Sequence, residues 1–200
     1  MIKYLTLVTG NYFENCYLVY NDKNEGFVVD PGDNPNYIID EINDNNITLK
    51  GILITHGHFD HIGAVKALKD EFGCNIYMNM ADKDLLSYER VNDFTVDVDI
   101  SELSEIQLGD MVVEVIKTPG HTSGSVCYKI DEFLFCGDLI LEGSIGRCDL
   151  PGGSIFTMTH TLSQFVKELD DNLILLSGHG KSSSVGYEKK NNPYLMRFTK

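Results

Sequence analysis

The chain has 200 residues, 42% of them hydrophobic, and a formal net charge of −14. That length suits one substantial core and is short for two, so a single domain over residues 1–200 is expected. Its scattered Lys and Arg argue against a nucleic-acid partner, which needs clustered cations, and its longest apolar runs, 51–54 and 173–176, are far below the roughly 18–20 residues that span a bilayer.

Short strand-like segments come first, at 2–8, 16–20 and 26–30, bounded by Asn, Asp and Gly. Polar Thr6, Thr9, Gly10 and Asn11 break any apolar run that could serve as an export signal, so a cytoplasmic protein is expected. Residues 36–42 and 62–72 carry apolar side chains at the i, i+3 spacing of amphipathic helices, with a buried strand at 51–55 between them. Residues 82–104 are polar and poorly periodic and read as a long surface excursion, a candidate lid. Strands follow at 111–116, 125–130 and 132–136, then a helix at 159–169, a strand at 172–177 and a last helix at 184–190. Strand runs in each half, each followed by helices, predict sheets packed face to face with helices outside.

The five cysteines form no CxxC pair and read as reduced thiols. Four sit in or beside apolar segments as small buried hydrophobes. Cys148 does not and is a candidate for thiol chemistry.

Of six histidines, all but His160 fall in three Gly-containing loops that follow predicted strands: Thr55-His56-Gly57-His58-Phe59-Asp60-His61, Pro119-Gly120-His121-Thr122 and Ser177-Gly178-His179-Gly180. Cys136-Gly137-Asp138 is a fourth strand end, bearing a carboxylate. Imidazole and carboxylate are ligands that zinc accepts, and iron and manganese take the same set. His56, His58, His121 and His179 with Asp60, His61 and Asp138 exceed one tetrahedral shell, which suggests two metals about 3.5–4 Å apart, bridged by a carboxylate and by a water whose pKa falls toward 7. His160 reads as structural or exposed. Asp30 reads as an Asx-type turn before Pro31 or as a buttress behind a ligand.

The HxHxDH signature with the later His, Asp and His resembles the metallo-β-lactamase superfamily, over essentially the whole chain. The stretch from Gly137-Asp138-Leu139-Ile140 through Gly143-Ser144-Ile145-Gly146-Arg147-Cys148-Asp149-Leu150-Pro151-Gly152-Gly153, and the tail from Ser177 through Gly186-Tyr187-Glu188 to Asn192-Pro193-Tyr194-Leu195, resemble small bacterial glyoxalase II-like hydrolases. The resemblance implies an αββα sandwich of the α/β class with two mixed sheets. It also implies His56, His58 and His121 on one metal, Asp60, His61 and His179 on the other, Asp138 bridging, and hydrolysis of S-D-lactoylglutathione or a related small-molecule thioester. Asp60 would orient the nucleophile and take up a proton, and the Arg147 guanidinium could hold a substrate carboxylate. The Gly146-Arg147 region also resembles persulfide dioxygenases, which use one iron, here at His56, His121 and Asp138. Lactone hydrolysis is a further activity of the same fold.

Overall fold

The computed structural model describes residues 1–88 and 94–198. A hairpin of β1 (Ile2–Thr9) and β2 (Glu14–Asn21) leads into β3 (Glu25–Val29), α1 (Pro35–Asp44) and β4 (Thr48–Leu53). A single 3-10 turn (Phe59–His61) precedes α2 (Val65–Phe72), β5 (Asn75–Met78), a second 3-10 turn (Met80–Asp82), α3 (Lys83–Tyr88) and β6 (Val98–Asp99). The second half runs β7 (Glu105–Leu108), β8 (Met111–Lys117), β9 (Val126–Ile130), β10 (Phe133–Gly137), the small hairpin β11 (Ile140–Leu141) and β12 (Ser144–Ile145), α4 (Ile155–Glu168), β13 (Ile174–Ser177), β14 (Ser183–Ser184) and α5 (Val185–Asn191).

One sheet has the order β1-β2-β3-β4-β5-β6 and the other β14-β13-β10-β9-β8-β7. Both are mixed: β3 to β6 run parallel and β1 to β3 antiparallel, while β10 and β13 are the parallel pair of the second sheet. Period-2 alternation assigns each strand two jobs. Tyr17 and Val19 of β2 meet Val126 and Tyr128 of β9 in the core between the sheets, whereas Cys16 and Leu18 face Ile38, Ile42 and Leu68 of α1 and α2. Cys127 of β9 looks the other way, toward Met158, Leu162 and Val166 of α4. Each fully buried Leu or Val contributes about 1.5–3 kcal/mol, so three apolar layers hold a four-layer αββα sandwich, as the resemblance implied.

The segment expected to be a surface excursion is largely built into the fold. Residues 89–93 of it lie outside the described residues, but β6 pairs with β5 through Tyr77↔Val98 and Met78↔Asp99, and Ile100 is fully buried. Asp82 at its start is also buried. A two-residue strand is too short for periodicity to register, and a buried Asp reads as surface in any hydropathy scan. Among the described residues, no helix is long and apolar enough to cross a membrane.

The topology puts the functional loops together. β8, β10 and β13 run in one direction, so the residues after their C-terminal ends, His121, Asp138 and His179, share one edge. Asp30 and His56 follow the C-terminal ends of the parallel β3 and β4. The start of β2 ties the two edges: Asn15 donates its backbone N–H to the Gly178 carbonyl at 2.8 Å and its side-chain amide to the carbonyls of Ser177 at 3.0 Å and Gly180 at 2.9 Å.

Candidate metal centre

The structure gathers His56, His58, Asp60, His61, His121, Asp138 and His179 at that edge. Their donor atoms form compact groups, with His56, His58 and His121 mutually within 4.8 Å and Asp60, His61 and His179 likewise. Asp138 stands between the groups. Its Oδ2 is 3.5 Å from His121 Nε2 and 3.7 Å from His179 Nε2, and its Oδ1 is 3.8 Å from His61 Nε2. These spacings exceed a hydrogen bond. Two ligand atoms each about 2.1 Å from one cation, at tetrahedral angles, lie about 3.4 Å apart.

The hydrogen-bond network sets which imidazole nitrogen faces inward. The Thr55 hydroxyl donates to Asp30 Oδ2 at 2.6 Å, so its lone pair accepts from His56 Nδ1 at 3.0 Å. His61 Nδ1 donates to the same Asp30 oxygen at 3.0 Å, His121 Nδ1 to the Arg147 carbonyl at 2.7 Å, and His179 Nδ1 to the Tyr12 carbonyl at 3.2 Å. Each of these four rings therefore turns its Nε2 toward the centre. His58 differs, pointing Nδ1 at His121 Nε2 across 2.9 Å.

The fit to a cation is tested by what is left unsatisfied. His56 Nε2, His61 Nε2 and Asp138 Oδ1 are buried and lack any hydrogen-bond partner, although such orphans normally cost 1–3 kcal/mol each. His58 Nε2 is likewise buried without a hydrogen-bond partner. Only glycine lets these two donors close against the loop: a Cβ on Gly178 would lie 2.5 Å from Asp138 Oδ1 and 2.6 Å from His61 Cε1. The donor set suits zinc, iron or manganese.

Protonation preferences divide the two groups. Burial, reinforced by neighbouring imidazoles, drives the His56 pKa well below its ordinary value, and burial also lowers His58 and His121. Burial opposes charge on His61 too, but the Asp30 hydrogen bond and the carboxylates of Asp138, Asp30 and Glu14 prevail and raise it to about 10. His179 is raised against its own burial by Asp60. Asp60, despite burial, is held at about 2 by the His179 hydrogen bond and the charge on His61. The second group thus favours positive charge, and a cation binding there would displace protons.

Two buried carboxylates brace the loops. Asp30 accepts from the Thr55 N–H at 2.7 Å besides the Thr55 hydroxyl and His61, contacts 25 and 31 residues away in sequence, so it is a buttress and not a local Asx turn. Asp82 accepts from the Gly57 N–H at 3.0 Å, the Thr122 hydroxyl at 2.6 Å and the Gly124 N–H at 2.6 Å. It binds the loop of His56 and His58 to the loop of His121. Sequence reading missed Asp82, because nothing local marks an acid in a polar stretch as buried. Gly137, at φ +48°, follows a register shift in β10 and turns the chain just before Asp138. A Cβ there would meet Thr55 Oγ1 at 2.4 Å.

Two further candidates stand apart from the donor groups. The Arg147 guanidinium is engaged by Asp149 through bonds of 2.7 and 2.8 Å at the exposed surface, so its contribution to the centre is the backbone carbonyl that holds His121. Cys148 is half-buried, and burial followed by the charge of Asp149 raises its pKa, the opposite of an activated thiolate. His160 is exposed on α4, and all five cysteines are free.

Comparison with known proteins extends the likeness along the chain. Hydroxyacylglutathione hydrolase GloC of Haemophilus influenzae is 32% identical over 197 residues, covering 91% of this chain and 92% of its own. The structure of BLEG-1, a B3 metallo-beta-lactamase, superposes with a TM-score of 0.91 at 32% identity, covering 98% of this chain and 99% of the other. TTHA1623 in a di-iron-bound form gives 0.86 at 27% identity, over 96% and 100%. The profile of the Metallo-beta-lactamase superfamily matches residues 9–179, and the chain belongs to that superfamily, as a metal-dependent hydrolase.

Proposed function

We propose that the protein is a dinuclear metal-dependent thioester hydrolase acting on S-D-lactoylglutathione or a related acyl-thioester. The observation that carries this reading is the position of Asp138, whose carboxylate lies within 3.8 Å of imidazoles from both donor groups. His56, His58 and His121 would hold one cation and Asp60, His61 and His179 the other, with Asp138 reaching both; zinc is the first choice of metal. The thioester assignment is supported by the likeness to hydroxyacylglutathione hydrolase.

Divalent cations there would supply Lewis acidity to a carbonyl and bring the pKa of water toward 7. The chain does the rest. Buried His56 and His61, with Asp30 and Thr55 behind them, keep the floor of the centre rigid and dry. Asp60 stays ionised on the open side, where it can orient the attacking water and accept its proton. The departing thiolate is a good leaving group and needs little acid assistance.

The test pairs metal analysis of protein purified without added metal with hydrolysis assays at neutral pH on S-D-lactoylglutathione, other acyl-thioesters, a lactone and a β-lactam. Two cations per chain and preferential thioester turnover are expected. Two cations with turnover of only the lactone or β-lactam would replace the substrate assignment. One iron per chain with sulfite formed from glutathione persulfide would overturn the reaction class.

A further inference from the structure

Beyond His179, the tail of the chain carries two fully buried polar side chains, Glu188 on α5 and Asn192 just past its end. Neither belongs to a donor group. Resting on the metal-centre reading above but on no choice of substrate, we propose that both are positioning residues, which clamp the β11–β12 hairpin so that it holds His121 and Asp138 ready for a cation.

Glu188 Oε2 accepts from the Gly143 N–H at 3.0 Å and from the Asn192 side-chain amide at 2.9 Å, and its Oε1 accepts from the Ser183 hydroxyl at 2.6 Å. The Asn192 amide also donates to the Ser144 carbonyl at 2.8 Å and lies 3.3 Å from the Leu141 carbonyl. Leu141 and Ser144 face each other across the hairpin, and Gly143 turns it at φ +66°. The end of α5 therefore grips the turn by an N–H and by carbonyls of both strands. A carboxylate only accepts, so Glu188 fixes which way the Asn192 amide points, and Asn192 Oδ1 is left to accept from the Tyr194 N–H at 3.0 Å.

A hairpin with two residues per strand cannot hold its own shape, and this one has a ligand at each end. β11 starts two residues after Asp138, and β12 leads directly into Gly146 and Arg147. A Cβ on Gly146 would fall 1.9 Å from the Asp138 carbonyl oxygen, so only glycine lets the outgoing chain press on the Asp138 backbone. The next carbonyl, of Arg147, accepts from His121 Nδ1 at 2.7 Å and sets the orientation of that ring. His61 is held separately, by Asp30. A hairpin that shifts would disturb His121 and Asp138 and spare His61.

Imidazole 15N NMR of the full chain loaded with zinc reads this difference through the Nδ1–H signals of His121 and His61. Glu188→Ala is expected to abolish the His121 signal, keep that of His61 and weaken zinc binding about ten-fold in isothermal titration calorimetry. Glu188→Gln is expected to restore both, since its amide oxygen still accepts from Gly143 and Asn192 while the Ser183 hydroxyl reverses to accept from its nitrogen. In folded protein, checked by circular dichroism, an unmoved His121 signal or zinc affinity, equal loss of both signals, or no rescue by Glu188→Gln overturns the clamp and leaves the metal centre standing. Should Glu188→Ala not fold, hydrogen exchange in the wild type carries the test, because coupling is reciprocal: zinc is expected to slow the Gly143 N–H about ten-fold more than the Thr48 N–H, which bonds the Asn24 carbonyl at the far end of β4. Equal slowing overturns the clamp. A wild type that binds no zinc overturns the clamp and the metal reading together.

Discussion

The two donor groups share one edge, with Asp138 standing between them, yet they are built differently. His56, His58 and His121 are only 2–4% exposed, all three have lowered pKa values, and Thr55, Asp82 and the Arg147 carbonyl hold their loops from behind. In the other group the side chains of His179 and Asp60 are 26% and 17% exposed, and protonation of His61 and His179 is favoured. The first group is a rigid neutral cradle. The second is open and carries its own negative charge. Buried neutral imidazoles pay no proton-displacement cost on binding a cation, whereas the second group must release protons, so the first should bind more tightly and the second should exchange and meet substrate.

The largest effect expected from this contrast is on stepwise metal loss. Titration with a chelator should remove the two cations in separate phases. His179→Ala should abolish only the weaker phase, and His58→Ala should cost the tighter one together with at least about 100-fold in turnover, more than is usual for residues behind the ligands. Loss of both cations in one phase, in the wild type and in each variant alike, would erase the distinction. A cation held at 1,000 times its dissociation constant adds about 4 kcal/mol to stability, about 10 °C in Tm for a chain of this size, so thermal unfolding reads the same loss without any activity assay.

Asp82→Asn should come next. It keeps the shape but places an amide against the Gly57 and Gly124 N–H groups, and a fall of about 10-fold to 100-fold in affinity at the tighter phase is expected, with the weaker phase nearly unmoved. Equal weakening of both phases, measured by isothermal titration calorimetry, would mean that Asp82 supports the fold at large and not the first group. The smallest effect is expected from Arg147→Ala, within about three-fold in kcat/KM, because the guanidinium already pairs with Asp149 at the surface and the His121 contact is made by a carbonyl that the substitution keeps. A larger loss, carried by KM for a carboxylate-bearing substrate, would return the guanidinium to the substrate.

Much of this molecule is readable from its residues in order. The amphipathic spacing at 36–42 and 62–72 and the apolar runs of the inner strands announce the layers, because burial imposes a period on any chain that forms them. The clustering of His and Asp in Gly-bearing loops announces the centre, because few structural uses exist for three imidazoles and a carboxylate within six residues. Helix starts were less legible: α4 begins at Ile155, earlier than its periodicity suggests, because Ser154 caps it by accepting from the Thr157 N–H, and a cap is one residue with no period.

What only the tertiary structure decided is how distant residues divide the work. Local pattern cannot show that Asp82, in a polar stretch, is buried between two ligand loops, that Asp30 reaches 31 residues to His61, or that the Arg147 guanidinium turns away while its carbonyl turns in. Each is a meeting of segments brought together by sheet pairing and sheet packing. The sequence by itself determined the layers and the kind of ligand, since those follow from side-chain chemistry and spacing; which nitrogen faces the centre, which acid stands behind it and what borders it depend on contacts across the sandwich, where sequence separation carries no signal.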